Sequence, residues 1–154
     1  IVRYCKIHPF TYGGEAQHYE PGTDVVLFEW AGFKVAPFIC YDLRFPEIFR
    51  AAVKKGADLF TVMANWPVTR IAHWNALLLA RAIENQAYVV GVNRCGDDPG
   101  LSYSGQSQII SPQGEFLAVA GASEATIQAE VSLSALERYR TALPFLADQS
   151  EAFR

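Results

Sequence analysis

The middle of the chain constrains the fold most. "FKVAPFIC", "DLFTVMA" and "AYVVGVNR" are apolar runs of strand length, and a helical stretch separates each from the next. From Pro46 the apolar positions Ile48, Phe49, Ala52 and Val53 recur at helical spacing, with a proline suited to the first turn and Gly56 to the stop. "RIAHWNALLLARAIENQ", residues 70–86, is rich in Ala and Leu and free of internal Gly and Pro, which predicts a second helix. Strand, helix, strand, helix, strand, followed by shorter strands, indicates a mixed α/β layered fold.

The flanks are less regular. "IVRYCKI" is a short run of β-formers and predicts a strand, and residues 11–24, with "TYGGE" and "EPGTD", read as a loop carrying turns. "VVLFEW" and "FKVAPFIC" form a hairpin about Ala31 and Gly32 whose second strand ends at Cys40, and Pro37 points to an edge or a bulge. "CGDDPGLSYSG" reads as a long polar loop, and "QSQIIS", "EFLAVA" and "TIQAEV" as three strands of an antiparallel meander. "LSALERYRTAL" predicts a last helix capped by Ser132 or Ser134, and the tail after Pro144 has no core pattern.

A length of 154 residues suits one domain, residues 1–154, with a sizeable core. A net charge of -3 without a basic stripe argues against nucleic acid and anionic membranes as partners. No apolar run approaches the roughly 18 residues of a spanning helix, and "IVRYCKIHPF" lacks the core of a secretion signal, so the cytoplasm is the expected location. Cys5, Cys40 and Cys95 are odd in number and lack metal-ligand spacing, and His8, His18 and His73 do not cluster, which argues against a disulfide framework or a zinc site.

Cys40 stands at a strand end, directly before a turn and a helix, where open α/β sheets meet their ligands. Helix amides and a nearby cation there lower a thiol pKa and favour the nucleophilic thiolate. By position alone, a strand-end cysteine is more often a small core residue. In "CYDLRFPE", Asp42 is expected to cap the turn and Arg44 to pair with a carboxylate.

"ICYDLRFPEIFR" resembles the nucleophile segment of the nitrilase superfamily of carbon–nitrogen hydrolases, "YCKIHPF" its lysine motif, and "GGEAQHYEPG" the segment carrying its second glutamate. "ANWP", "HWNALLLARAIENQAYVVGVNRCG" and "YSGQSQIISPQGE" follow in the family's order. "NWP" with "VGVNR" looks most like the bacterial omega-amidase branch, which acts on small dicarboxylate monoamides such as 2-oxoglutaramate. The resemblance implies Cys40 as nucleophile, Lys6 and Glu15 as its catalytic companions, and the Tyr41 backbone N–H as an oxyanion donor. Asn65 and Trp66, at a strand end on the same sheet edge as Cys40, are read equally as lining the substrate site or as packing, and Arg44, Arg94 and Arg70 are unranked candidates to meet a distal carboxylate. The resemblance also implies a thioester intermediate, no cofactor or metal, and a homodimer formed through helical faces.

One family residue has no counterpart. The general-base glutamate lies well upstream of the lysine, whereas only "IVRYC" precedes Lys6. The family fold is a four-layer α-β-β-α sandwich, of which this chain would supply the later portion, and it is expected to be weak or inactive alone. Two rivals stand beside this reading: a non-catalytic α/β module with a structural Cys40, and a nitrilase or acyltransferase on the same scaffold.

Overall fold

The computed structural model describes residues 2–150. A hairpin of β1 (Phe28–Trp30) and β2 (Phe33–Ile39) opens the sheet. Its two turn residues, Ala31 (φ +49°) and Gly32 (φ +85°), are both left-handed, as a tight two-residue connection between twisted strands requires. The chain then alternates α1 (Pro46–Lys54), β3 (Leu59–Ala64), α2 (Ile71–Asn85) and β4 (Tyr88–Asn93). After these come β5 (Cys95–Asp98), β6 (Leu101–Ser104), β7 (Gln108–Ile110), β8 (Phe116–Val119) and α3 (Leu133–Ala142). The main sheet has six strands in the order β1-β2-β3-β4-β7-β8, while β5 and β6 pair separately. The three strands joined by α1 and α2 run parallel; the outer pairs are antiparallel.

Both crossover helices pack on one face of this sheet. Phe38, Phe60, Val62, Val89 and Ile110 meet Phe49 and Ala52 of α1 and Trp74, Leu78 and Ala82 of α2. Gly91 permits the close approach of α2, because a Cβ there would lie 2.9 Å from Trp74 Cζ2. The other face is half covered. Leu136 of α3 closes over Phe33, Val35, Leu59 and Tyr88, and Arg140 fastens the helix by donating to Asp58, Ala57 and Gln86. Nearer the carboxyl ends of the strands, the paired Met63 and Val92 remain exposed on that face. No helix among the described residues is long and apolar enough to cross a membrane.

Several expectations need correction, and others are met in a more specific form. Residues 2–10 form no strand; Tyr4 and His8 spend their polar groups on Asp42 instead of a ladder. Cys5, which alternation with Lys6 along the expected strand would turn toward the core, is exposed. The supposed loop at 95–105 is the β5–β6 hairpin, turned by Pro99 and Gly100 (φ +92°), a pair suited to a type II turn. "TIQAEV" forms no strand, although Val131 packs against the smaller apolar cluster. The loop at 11–24 contains two 3₁₀ turns, Thr11–Gly13 and Glu15–Gln17. Pro37 lies beyond Val35, the last β2 residue paired with β1, so at its level β2 pairs only with β3 among the described residues. Of the two proposed caps, it is Ser132 that accepts the Ala135 N–H, at 3.2 Å.

Candidate active site

Cys40 does not run straight into α1. It begins a 3₁₀ turn, Cys40–Arg44, and carries φ +48°, a left-handed conformation uncommon for a side chain with a Cβ. The turn is held at both ends. Asp42, fully buried, accepts the Ile39 N–H at 3.1 Å, which is the capping role expected of it. Arg81, buried in α2, donates to the Leu43 carbonyl at 2.8 Å and lies over the Phe49 ring. In the sequence Arg81 falls within the helix predicted over 70–86, and an arginine on the apolar face of that helix is the signal that could have singled it out.

Lys6 reaches the site from the irregular segment. Its Nζ lies 2.5 Å from Glu15 Oε2, and the same oxygen accepts the Phe10 N–H at 2.9 Å. Desolvation pushes the Glu15 carboxyl upward, but the hydrogen bonds from Lys6 and Phe10 outweigh it and hold the group below its ordinary value. Glu15 is therefore an ionised partner of Lys6 at neutral pH.

Burial pushes the Cys40 thiol above its ordinary value. The Lys6 charge and the Asn65 backbone N–H pull it down, and Glu15 and Asp42 push it up again. The expectation of a lowered thiol pKa is thus overturned: the cation is present, but desolvation is the larger effect. The resting sulfur is a thiol, and attack requires its proton to leave.

The eight residues singled out in the sequence, Cys40, Lys6, Glu15, Tyr41, Asn65, Trp66, Arg44 and Arg94, all line one cavity of about 650 Å³ at the carboxyl end of the sheet. Met63, Val92 and Tyr103 add apolar wall, and Arg70 a further cation. A larger cavity of about 920 Å³ shares Lys6, Glu15 and Ile39 but does not include the thiol. Chemistry at Cys40 therefore belongs to the smaller one.

The cavity wall is fixed by a residue the sequence reading passed over. Asn93, buried at the end of β4, accepts the Trp66 N–H at 2.7 Å and donates to the Trp66 and Gly105 carbonyls at 3.1 and 2.8 Å. Trp66 is itself only 3% exposed, so it packs as well as lines. The arginines differ in what already satisfies them. Arg94 binds both Asp98 oxygens, at 2.5 and 2.7 Å, and stacks on Tyr103. Arg44, expected to pair with a carboxylate, instead lies 4.8 Å over Trp66 and contacts His73 Nδ1 at 3.3 Å.

Fold and cavity together define a mixed α/β protein with a thiol poised at a strand end beside a lysine–glutamate pair. The chain belongs to the carbon–nitrogen hydrolase family, whose model matches residues 1–141. It is 49% identical over 150 residues to omega-amidase YafV of Escherichia coli K12, covering 96% of this chain and 58% of that protein. To the 2-oxoglutaramate amidase of Bacillus subtilis it is 39% identical, covering 96% of this chain and 57% of that one. The crystal structure of XC1258 from Xanthomonas campestris, a superfamily member with an arsenic adduct in its active site, superposes with a TM-score of 0.90. That match has 36% identity and covers 95% of this chain and 58% of the other. Saccharomyces cerevisiae Nit3, of the nitrilase superfamily, matches with a TM-score of 0.82 at 29% identity over 96% of this chain and 53% of its own. The chain thus spans between half and three-fifths of the length of these relatives.

Proposed function

We propose that this chain carries the nucleophile of an amidase that hydrolyses the carbon–nitrogen bond of a small dicarboxylate monoamide such as 2-oxoglutaramate. The observation that carries the reading is the convergence of Cys40, Lys6, Glu15 and Tyr41 on one cavity. The names of the two bacterial amidases support the substrate class.

Cys40 Sγ attacks the amide carbon and loses its proton as it does so. The Lys6 ammonium and the Tyr41 N–H stabilise the oxyanion that forms, in a cavity where fixed donors act more strongly than in water. Glu15 holds the lysine in place. Collapse breaks the C–N bond, the departing nitrogen takes up a proton and leaves as ammonia, and water then hydrolyses the thioester to release the acid and restore the thiol. No step calls for a cofactor.

The proton steps need a carboxylate that is free to exchange. Glu15 is engaged with Lys6 and Phe10, and Asp42 with Tyr4, His8 and Ile39, so neither serves. The proposal assigns this role to the family's upstream glutamate, for which "IVRYC" offers no counterpart. For the substrate's far carboxylate, Arg44 and Arg70 are better suited than Arg94, whose charge Asp98 already meets. The three free thiols suit a reducing compartment, and the proposal places the enzyme in the cytoplasm, as a homodimer by analogy with the family.

Ammonia release from 2-oxoglutaramate and succinamate tests this. The chain is measured alone, and joined to an upstream segment bearing the family's glutamate, each beside its Cys40→Ser form. The joined protein is expected to be active and its Cys40→Ser form to lose about a thousandfold or more in kcat/KM. Equal rates with and without the thiol would sink the reading.

A further inference from the structure

Lys6 lies in a segment that the sheet does not hold, since residues 2–10 have no ladder partner. Its placement against Cys40 must come from elsewhere, and the bonds that supply it converge on one side chain. Asp42 Oδ2 accepts the Tyr4 hydroxyl at 2.7 Å, and Oδ1 accepts the His8 backbone N–H at 2.9 Å, with His8 Nδ1 at 3.1 Å. Tyr4 and His8 are the residues two before and two after Lys6. The same carboxylate takes the Ile39 N–H at 3.1 Å and belongs to the turn that Cys40 begins.

We infer that Asp42 is the positioning residue of this site: a buried carboxylate that clamps both flanks of Lys6 to the nucleophile turn and so sets the lysine beside the thiol. The inference rests on Lys6 and Cys40 being the reacting pair. Contacts on either side reinforce the clamp. The His8 ring stacks on Phe45 at 3.7 Å and 8°, and Phe10 packs on Tyr41 with centroids 4.9 Å apart. The Lys6 carbonyl accepts the Gly22 N–H at 2.8 Å, which steadies the segment from the loop side. A carboxylate has lone pairs for all of these donors, whereas an asparagine at position 42 would turn its NH₂ toward one set of them.

A simple charge effect of Asp42 predicts the opposite behaviour, which makes the test decisive. The negative charge of Asp42 raises the thiol pKa. If charge were its whole role, Asp42→Asn would lower the pH midpoint of Cys40 alkylation. If Asp42 places Lys6, the variant loses the lysine's larger stabilisation and the midpoint rises. Besides Asp42, the charges that act on the thiol are Lys6 and Glu15, and Glu15 is kept in every variant. Tyr103, which feels the thiolate in turn, is also kept.

The experiment is the pH profile of iodoacetamide labelling of Cys40 in the full chain, read peptide by peptide with Cys5 and Cys95 as internal controls. The variants are Lys6→Ala, Asp42→Asn and Tyr4→Phe. Tyr4→Phe keeps the ring edge against Phe38 and the Asp42 charge, and removes only one arm of the clamp. We expect Lys6→Ala to raise the midpoint and Tyr4→Phe to follow it part of the way. At fixed pH below the midpoint, Tyr4→Phe should slow Cys40 labelling by roughly three- to tenfold, a full pKa unit being tenfold in thiolate. Labelling of Cys5 and Cys95 should be unchanged. If Lys6→Ala raises the midpoint but Tyr4→Phe leaves it in place, the clamp is refuted and the catalytic reading survives. A midpoint that does not respond to Lys6→Ala overturns the catalytic reading and the clamp together. Should Asp42→Asn fail to fold, Tyr4→Phe decides the matter alone.

Discussion

The two halves of the candidate site are supported in different ways. The thiol stands at the end of β2, inside a parallel ladder that continues through β3 and β4 and is backed by Phe49, Trp74 and Leu78, all fully buried. Lys6 and Glu15 come from residues 2–17, where no described residue is fully buried and secondary structure is limited to two short 3₁₀ turns. One half is built by packing of a continuous core; the other is attached by a few directed hydrogen bonds. A core tolerates small errors in any one contact because many share the load, whereas a tethered segment depends on each bond it has.

That contrast can be broken at the core, where the effect is largest. Phe49 meets Phe38 at 4.1 Å and Phe60 at 5.2 Å between ring centroids. Phe49→Ala should therefore cost about 3–5 kcal/mol, the range for emptying a buried aromatic site. Urea denaturation followed by far-UV circular dichroism measures it; a loss under about 1 kcal/mol would mean that the core closes over the gap and that this half is not the rigid one.

Lys6→Ala sharpens the contrast from the other side. In the chain joined to an upstream segment bearing the family's glutamate, the proposed oxyanion role has it lower kcat by about 100- to 1000-fold, the usual cost of losing one such donor. Its urea midpoint should hardly move, since Lys6 is not part of the buried core. Joint loss of activity and stability would show that the tethered segment is part of the core after all.

The smallest effect concerns acid. The Glu15 carboxyl is held below its ordinary value of 4.5 when folded, so its bond to Lys6 contributes fully above that value and is lost as the pH falls through the depressed folded value. Glu15 is 37% exposed, and solvent screening limits the contribution to under about 1 kcal/mol. Glu15→Gln should lose that small contribution at neutral pH and converge with the parent in acid, so that its stability profile below pH 4.5 is flatter. A variant profile parallel to that of the parent would remove Glu15 as the lysine's partner.

The helices and central strands were legible because their signals are local. Residues 46–54 and 71–85 show helical spacing or composition, and the three apolar runs became β2, β3 and β4 within a residue or two. The segment at 2–7 misled for the same reason. β-Formers announce an extended chain, but a strand also needs a neighbour, and here Asp42 takes the bonds that a neighbour would have supplied. The β5–β6 hairpin hid behind polar side chains, although Pro99 and Gly100 marked its turn.

The order of motifs along the chain was enough to indicate the family, the mixed α/β fold and the set of residues that meet in the cavity. Each of these depends on residue type and spacing, which a sequence states directly. The tertiary structure alone decided the state of the Cys40 thiol, the engagement of Arg94 by Asp98, and the convergence of Tyr4 and His8 on the Asp42 that caps the turn. Those outcomes turn on burial and on which partner arrives within hydrogen-bonding distance. The Tyr4 and His8 bonds join residues 38 and 34 positions apart in the chain, which no local pattern encodes.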